Sequence, residues 1–326
     1  MLMLLILLFV FFVNGVAKLR NVIFFIFLLI CIMGVLLGFP KSSYHYLLIG
    51  MLFYTVYEDR WSARSRNIVR SGMILVLVLM SIKSFFYFDF KFDNKYTILQ
   101  LYTLWGAIII SKYRGRLYYF IPLLMFIDIA LSLKVAARGV LISTLTSLAL
   151  VIKSISRKRV LILSFFFGFL LIYILAAPVF MLFDQHDILK MSASNSQRSA
   201  MNYSALSDVL RSPLLLDENL IYESASRYKF EYDDNRLTVH NLILAFGLFN
   251  GLLPGLLLLF LIFMAINRLI GSPYLPFAGY LFFVMMLGPD SSVTRISLIF
   301  LAGLVIIDSE RHLLFEIKNY EGKFKV

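Results

Sequence analysis

Three ionisable side chains lie at positions where they could take part in chemistry: Arg138, Arg198 and His240. Arg138 sits in an Ala-Arg-Gly motif just before an apolar run, Arg198 ends a polar Ser-Asn-Ser-Gln-Arg stretch, and His240 precedes another apolar run. Arginine side chains can hold anions such as phosphate, and histidine can exchange a proton near neutral pH. Because these residues are far apart in the sequence, only the fold can bring them into one site.

The sequence lacks the motifs of several other kinds of enzyme. It has no G-x-x-x-x-G-K-[ST] phosphate loop, no G-x-G-x-x-G dinucleotide motif, no H-E-x-x-H zinc motif and no G-x-S-x-G serine motif. The four histidines fall in separate regions, and the single cysteine, Cys31, cannot build a zinc site with them. Asp233-Asp234 is more typical of a solvated acidic turn than of a metal site. We therefore predict neither a metal nor a cofactor.

The composition places these residues in a membrane protein. Of 326 residues, 60% are hydrophobic and 15% are charged, and the mean hydropathy is +0.85; ordinary globular chains are roughly 25% charged. This excludes a soluble enzyme and predicts one all-α polytopic membrane domain over residues 1–326. The net charge of +12 is typical of basic cytoplasmic loops here, so we expect no nucleic-acid partner.

Apolar runs separated by polar breaks predict about eleven transmembrane helices. Several runs are shorter than the roughly 20 residues that cross a bilayer perpendicularly, so interfacial residues must complete them. The predicted spans are 1–17, 21–39, 43–57, 68–88, 96–111, 118–133, 139–152, 160–183, 241–266, 274–288 and 296–307.

The lysines and arginines predict the orientation of these spans. Alternate connections collect most of the basic residues, and the positive-inside rule makes that side cytoplasmic. They are Lys18, Arg20, Arg60, Arg64, Arg66, Lys112, Arg114, Arg116, Lys153, Arg157, Lys158, Arg159, Arg268, Arg311, Lys318, Lys323 and Lys325. The N-terminus is then outside, the C-terminus is cytoplasmic, and residues 184–239 form one large external, periplasmic loop. Arg138, Arg198 and His240 all face the outer leaflet in this arrangement.

The order of these motifs resembles the O-antigen ligase and O-antigen polymerase superfamily of bacterial membrane glycosyltransferases. Members have a Ser/Ala-Arg-Gly at a helix start, then a large periplasmic loop with an early arginine, then His-Asn opening the next helix with a glycine-containing stretch. The matching positions here are Ala137-Arg138-Gly139, Arg198 with Met201-Asn202 behind it, and His240-Asn241 followed by Gly247 and Gly251. The resemblance covers about residues 115–310 and implies a fold like the C-type glycosyltransferases.

The resemblance also implies an activity and a location. The chain would polymerise undecaprenyl-pyrophosphate-linked repeat units into O-antigen, capsule or exopolysaccharide at the outer face of the bacterial inner membrane. It would be a metal-independent, inverting glycosyltransferase, with a flippase and a chain-length regulator of the same pathway as partners. Arg138 and Arg198 would neutralise the leaving pyrophosphate, and His240 would act on the acceptor hydroxyl. Asn241, Arg211 and Tyr203 would contribute to substrate binding.

Other functions stay open from the sequence. A ligase that moves finished glycan onto lipid A-core belongs to the same chemical class. A lipid-linked-oligosaccharide flippase would need polar groups along a midplane pathway, whereas here few charges lie within spans. A non-catalytic membrane scaffold is a third class. Asp128, within the sixth span, needs a partner, either one of the arginines or a purely structural one.

Overall fold

The computed structural model describes residues 40–58, 61–86, 104–111, 120–134, 138–152, 193–211, 241–287 and 292–323, with positions 6, 7, 10, 29, 117 and 239. These segments are helical, with no strand among them. The helices are α1 (Pro40–Tyr57), α2 (Ala63–Phe86), α3 (Leu104–Ile110), α4 (Ile121–Lys134), α5 (Arg138–Ile152), α6 (Ala193–Arg211), α7 (Leu242–Asn250), α8 (Leu252–Leu269), α9 (Leu275–Leu287) and α10 (Ser292–Lys323).

The prediction of an all-helical fold is confirmed for the described segments. The runs 43–57, 68–88, 118–133, 139–152 and 274–288 correspond to α1, α2, α4, α5 and α9. The 296–307 run lies inside α10, which is much longer, and the structure describes only α3 from the 96–111 run. The predicted loop 184–239 contains a 19-residue helix, α6. The runs 1–17, 21–39 and 160–183 lie outside the described residues, apart from single positions.

The prediction of one continuous helix over 241–266 is wrong. The helix breaks at Gly251, whose φ of 93° is readily adopted only by glycine. A Cβ placed on Gly255 would lie 3.3 Å from the Cα of Gly247 and 3.8 Å from the carbonyl oxygen of Ile243. In one straight helix residues 243 and 255 would be about 18 Å apart, so α7 and α8 fold back on each other as a hairpin. Small residues permit this close approach of two backbones.

One end of the bundle is held together by polar groups from α8, from the turn that follows it and from α10. The hydroxyl of Ser272 donates to a carboxylate oxygen of Asp308 at 2.6 Å. Arg311 lies 3.1 Å from the other carboxylate oxygen of Asp308 and donates to the backbone carbonyl of Arg268 at 3.3 Å. The turn between α8 and α9 is therefore fastened to α10.

The α1–α2 connection joins this same end. The Trp61 indole donates to the backbone carbonyl of Glu58 at 3.0 Å, and Arg268 reaches that carbonyl at 3.5 Å. Arg66 lies 3.9 Å from a carboxylate oxygen of Glu310 on α10. We call this the basic end of the bundle. Arg66, Arg268 and Arg311, which the sequence predicts on one side of the membrane, thus lie together.

The outer surface of the described helices is largely apolar, whereas several polar side chains face inward. On α4, Leu123 and Phe126 are more than half exposed, while Asp128 and Ser132 are buried. On α5, Leu145 is nearly half exposed and polar residues are buried. Buried Ser143, Thr144 and Ser147 form the inward face of α5. This arrangement is the reverse of that in water-soluble helices.

Two described helical segments are long and apolar enough to cross a membrane, Ala63–Ile82 and Leu252–Leu269. Shorter apolar helical segments cover Ile121–Ala130, Gly139–Val151 and Leu275–Leu287.

Candidate functional site

The Ala-Arg-Gly motif lies where α5 begins, against the end of α9. Arg138 is the first residue of α5, and its side chain is outside the described part of the chain. A Cβ on Gly139 would lie 3.5 Å from the Cβ of Leu287, the last residue of α9. The two helices pack along each other from this point. The backbone at Arg138 is therefore fixed beside the end of α9.

The start of α7 reaches the same end of α9. The side-chain oxygen of Asn241 accepts hydrogen bonds from the backbone N–H groups of Ile243 and Leu244 at 2.9 and 3.1 Å, so Asn241 is the N-cap of α7. Its amide nitrogen donates to the sulfur of Met286 at 3.8 Å. His240 lies outside the described residues, but it directly precedes this buried, capped position.

Helices α5, α7 and α9 therefore meet at one place, which we call the junction. It is formed by Gly139, Asn241, Met286 and Leu287. Helices α8 and α9 are joined by a short turn at the basic end. Measured from that turn, α8 rises about 27 Å and α9 about 20 Å at 1.5 Å per residue. With α8 and α9 joined at the basic end, the junction at the far end of α9 lies about 7 Å nearer to that end than the first residue of α8.

Helix α6 packs on α7 beside the junction. The two methyl carbons of Val209 would lie 3.0 and 3.1 Å from a Cβ on Gly247. Ala205 and Val209 also share a buried apolar cluster with Val239, the residue before His240, and with Leu244 of α7. Helix α6 buries an apolar stripe against α7, and this contact holds the helix in place within the predicted loop.

The structure places the three loop residues predicted to act on substrate along α6. Arg198 lies in the first third of the helix, and its side chain is outside the described residues. Tyr203 is 44% exposed, and Arg211 is an exposed residue in the last turn. Arg198 and Arg211 are thirteen positions apart, about 20 Å along a helix. One small ligand group therefore cannot bind both arginines while α6 stays straight.

His45 is a buried residue near this region that the sequence did not single out. Its Nδ1 lies 3.1 Å from the side-chain nitrogen of Asn250, which also donates to the carbonyl of Phe246 at 2.9 Å. The imidazole packs on the rings of Phe246 and Phe249, with centroids 4.5 and 5.2 Å apart. His45 therefore ties the tip of the α7–α8 hairpin to α1. In the sequence, this contact is indicated only by Asn250, a polar residue in an otherwise apolar run.

Asp128 has a structural partner in the described part of the chain. The indole N–H of Trp105 donates to one carboxylate oxygen of Asp128 at 2.9 Å, and both side chains are fully buried. Trp105 in turn packs edge-to-face on Tyr280 of α9, with centroids 5.3 Å apart. The contact joins α3, α4 and α9 and gives Asp128 a structural partner. The side chains of Arg138 and Arg198 lie outside the described residues, so an arginine partner for Asp128 is not tested.

The described residues contain no group of three or more His, Cys, Asp or Glu side chains that could hold a metal ion. Asp233-Asp234 falls outside them.

Comparison with protein families, with curated proteins and with solved structures gives no match to this chain.

Proposed function

We propose that this chain is an integral membrane glycosyltransferase that polymerises undecaprenyl-pyrophosphate-linked oligosaccharide repeat units into O-antigen, capsule or exopolysaccharide. Embedding in a bilayer is supported by the apolar outer faces of the helices. Leu75 and Leu79 on α2, and Leu253 and Leu256 on α8, are each about half exposed at a spacing of three or four residues. Such stripes fit lipid tails, while the buried Asp128 points into the bundle.

The junction is the observation that carries the proposal. Gly139 lies against Leu287 and Asn241 bonds to Met286, the last two residues of α9. Arg138 and His240 are the neighbours of these two residues in the sequence, which supports the proposal that both belong to one site. Helix α6, which carries Arg198, packs on α7 beside them. Residues that the family resemblance assigns to one active site thus belong to elements in contact with each other.

In the proposed reaction the acceptor sugar hydroxyl attacks the anomeric carbon of the donor glycan. A glycosidic C–O bond forms, and the bond from the anomeric carbon to the pyrophosphate oxygen breaks with its electron pair. His240 takes the hydroxyl proton, while Arg138 and Arg198 neutralise the charge on the departing undecaprenyl pyrophosphate. Direct displacement inverts the anomeric centre. The guanidinium groups take the place of a divalent metal, since they bind phosphate oxygens through paired N–H groups and stay charged.

The three predicted substrate-binding residues have supporting roles in this proposal. Tyr203 and Arg211 are exposed on α6 and are available to the glycan beyond the reaction centre. Asn241 is fully buried and its oxygen is occupied by the cap of α7, so we assign it the positioning of His240. The enzyme would act in the bacterial inner membrane, beside the flippase and the chain-length regulator of its pathway.

The surface glycan of a strain lacking this protein tests the proposal. A polymerase defect leaves one repeat unit attached to the core and removes the longer chains, and the wild-type gene restores them. Loss of every attached unit would identify a ligase instead, and an unchanged ladder would contradict both activities. Polymerisation in isolated membranes should continue in EDTA; activity that EDTA abolishes and Mg²⁺ restores would contradict the arginine mechanism.

A further inference from the structure

Three side-chain oxygens on the neighbouring helices α4 and α5 are buried without a hydrogen-bond partner in the described part of the chain. They are Oδ1 of Asp128, Oγ of Ser132 and Oγ1 of Thr144. The other carboxylate oxygen of Asp128 accepts from the indole of Trp105. Burying polar groups without partners opposes folding, because the hydrogen bonds that water made to them are lost. Native proteins keep few such groups, so three on two packed helices indicate a bound ligand.

The path of the chain brings these oxygens to a similar depth in the bundle. Only three residues separate the end of α4 at Lys134 from the start of α5 at Arg138, and the two helices pack on each other. They therefore run antiparallel. Asp128 lies six residues before the end of α4 and Thr144 six residues after the start of α5, which is about 9 Å along each axis. Ser132 lies one turn from Asp128 on the same buried face.

Contacts with α9 give the same depth independently. The indole bonded to Asp128 packs on Tyr280, which lies seven residues, or about 10 Å, before the end of α9. Gly139 lies against that end, and Thr144 follows it by five residues, or about 8 Å, along α5. Asp128 and Thr144 are therefore at nearly the same depth, well inside the bundle.

We propose that Asp128, Ser132 and Thr144 bind a sodium ion within the bundle. Oxygen atoms are the ligands that hard cations prefer, and Ca²⁺, an ion of nearly the same radius as Na⁺, coordinates them at about 2.3–2.6 Å. An ion of this size bridges oxygens up to about 5 Å apart, beyond the reach of a hydrogen bond. A single carboxylate balances one positive charge, which favours a monovalent ion over a divalent one in an apolar bundle.

A proton or a water molecule satisfies these oxygens less well than Na⁺ does. A proton would neutralise Asp128 but add a buried O–H donor, and neither Ser132 nor Thr144 is within hydrogen-bonding reach to accept from it. A water molecule would pair the oxygens but leave the carboxylate charge buried, which is costly in apolar surroundings. The ion is taken up as the helices pack, so no segment has to open. The inference does not depend on the proposed glycosyltransferase activity.

Thermal unfolding of the full-length protein in detergent tests the inference, with NaCl replaced by choline chloride at constant ionic strength. We expect the Tm to rise with Na⁺ and to saturate after about 3–6 °C. Asp128→Asn should unfold at the same temperature in both salts, and Thr144→Val should need roughly tenfold more Na⁺ for the same rise. Ser147→Ala is the matched control. The buried hydroxyl of Ser147 already donates to the carbonyl of Ser143 at 2.8 Å, so its removal should leave the sodium dependence unchanged.

A spectroscopic measurement locates the ion at Asp128. The chain has two tryptophans, so in Trp61→Phe the tryptophan emission comes from Trp105 alone. Because the Trp105 indole is bonded to Asp128, Na⁺ should change this emission with the same midpoint as the rise in Tm. Adding Asp128→Asn to Trp61→Phe should abolish the change.

Two results would overturn the inference. One is a Tm and an emission that are the same in NaCl and in choline chloride, which would mean that water, a proton or an arginine satisfies Asp128 instead. The other is a sodium effect that Asp128→Asn retains in full, which would place the ion elsewhere. If Asp128→Asn does not fold, Thr144→Val decides, since an unchanged sodium midpoint in that variant contradicts the site. None of these measurements uses glycan synthesis, so a failure here leaves the proposed function standing.

Discussion

The side-chain nitrogen of Asn250 lies 3.1 Å from Nδ1 of His45, so the last residue of α7 is bonded to the first third of α1. Asn250 and Asn241 stand at opposite ends of α7, and each is bonded to a different neighbouring helix. This fixes a nine-residue helix that is too short to be stable by itself. The orientation of α7 sets the position of its N-cap, Asn241, which His240 precedes in the sequence.

His45→Ala should lower the Tm of the purified protein, because it removes the bond to Asn250 and the ring contacts with Phe246 and Phe249. We expect a loss of about 2–4 kcal/mol. His45→Phe keeps an aromatic ring of similar shape and should lose only about 1 kcal/mol. Thermal unfolding in detergent measures both variants. Equal losses in the two would show that packing contributes nothing beyond the hydrogen bond.

Trp105→Phe should destabilise the protein, because it leaves the carboxyl group of Asp128 without its N–H donor. A buried polar group that loses its partner costs about 1–3 kcal/mol. Asp128→Asn keeps an acceptor oxygen for Trp105 and should therefore lower the stability less than Trp105→Phe does. In the Asp128→Asn background, Trp105→Phe should lower the free energy of unfolding by about 1 kcal/mol less than it does in the wild type. The reason is that a neutral amide is easier to leave unpaired than a carboxylate. Strictly additive losses would show that the two side chains are not coupled.

Much of the helical fold was predictable from hydrophobic runs, because lipid-facing and core-facing residues are both apolar. The break at Gly251 was not, since the apolar run continues through it. Only the φ of 93° and the contact between Gly255 and Gly247 mark the hairpin. Helix α6 was likewise assigned to a loop, because its mean composition is polar and its apolar stripe is narrow.

The sequence motifs predict the proposed site, but they do not predict the long-range contacts beside it. Arg138 and His240 stand next to glycine and asparagine residues whose types already suggest a close contact and a helix cap. The contact of Gly139 with Leu287 and the bond of Asn241 to Met286 are long-range, and no local pattern encodes them. His45 was missed for the same reason, since its partner Asn250 is more than two hundred residues away.

Cysteine labelling tests the orientation of the bundle in a Cys31→Ser background. A cysteine at Ala63, exposed at the start of α2, marks the basic end and should be protected from an impermeant reagent added outside. A cysteine at Leu210, which is 59% exposed on α6, should react. Both should react after the membrane is permeabilised, which controls for accessibility. Labelling of Ala63→Cys but not of Leu210→Cys in intact cells would place the proposed site on the wrong side.

Replacing the proposed catalytic residues should abolish long-chain glycan without preventing insertion. Losing one contact to a developing anion commonly costs on the order of 10²–10³ in rate, and losing a general base costs about 10²–10⁴. Arg138→Ala, Arg198→Ala and His240→Ala should therefore each give a ladder of single repeat units at normal protein level. Lysine at either arginine position should restore activity only partly, because a point charge cannot form paired bonds to phosphate.

The controls for these variants are two arginines outside the proposed site. Arg227 belongs to the same predicted loop, and Arg64 is exposed at the basic end. Replacing either by alanine should leave the glycan ladder nearly unchanged. Full-length ladders in Arg138→Ala and Arg198→Ala at wild-type expression would show that neither guanidinium group stabilises the leaving pyrophosphate. If His240→Ala loses long-chain glycan and His240→Gln restores it, His240 still belongs to the proposed site. Glutamine can donate and accept hydrogen bonds but cannot take up the proton, so His240 would then orient the acceptor hydroxyl rather than deprotonate it.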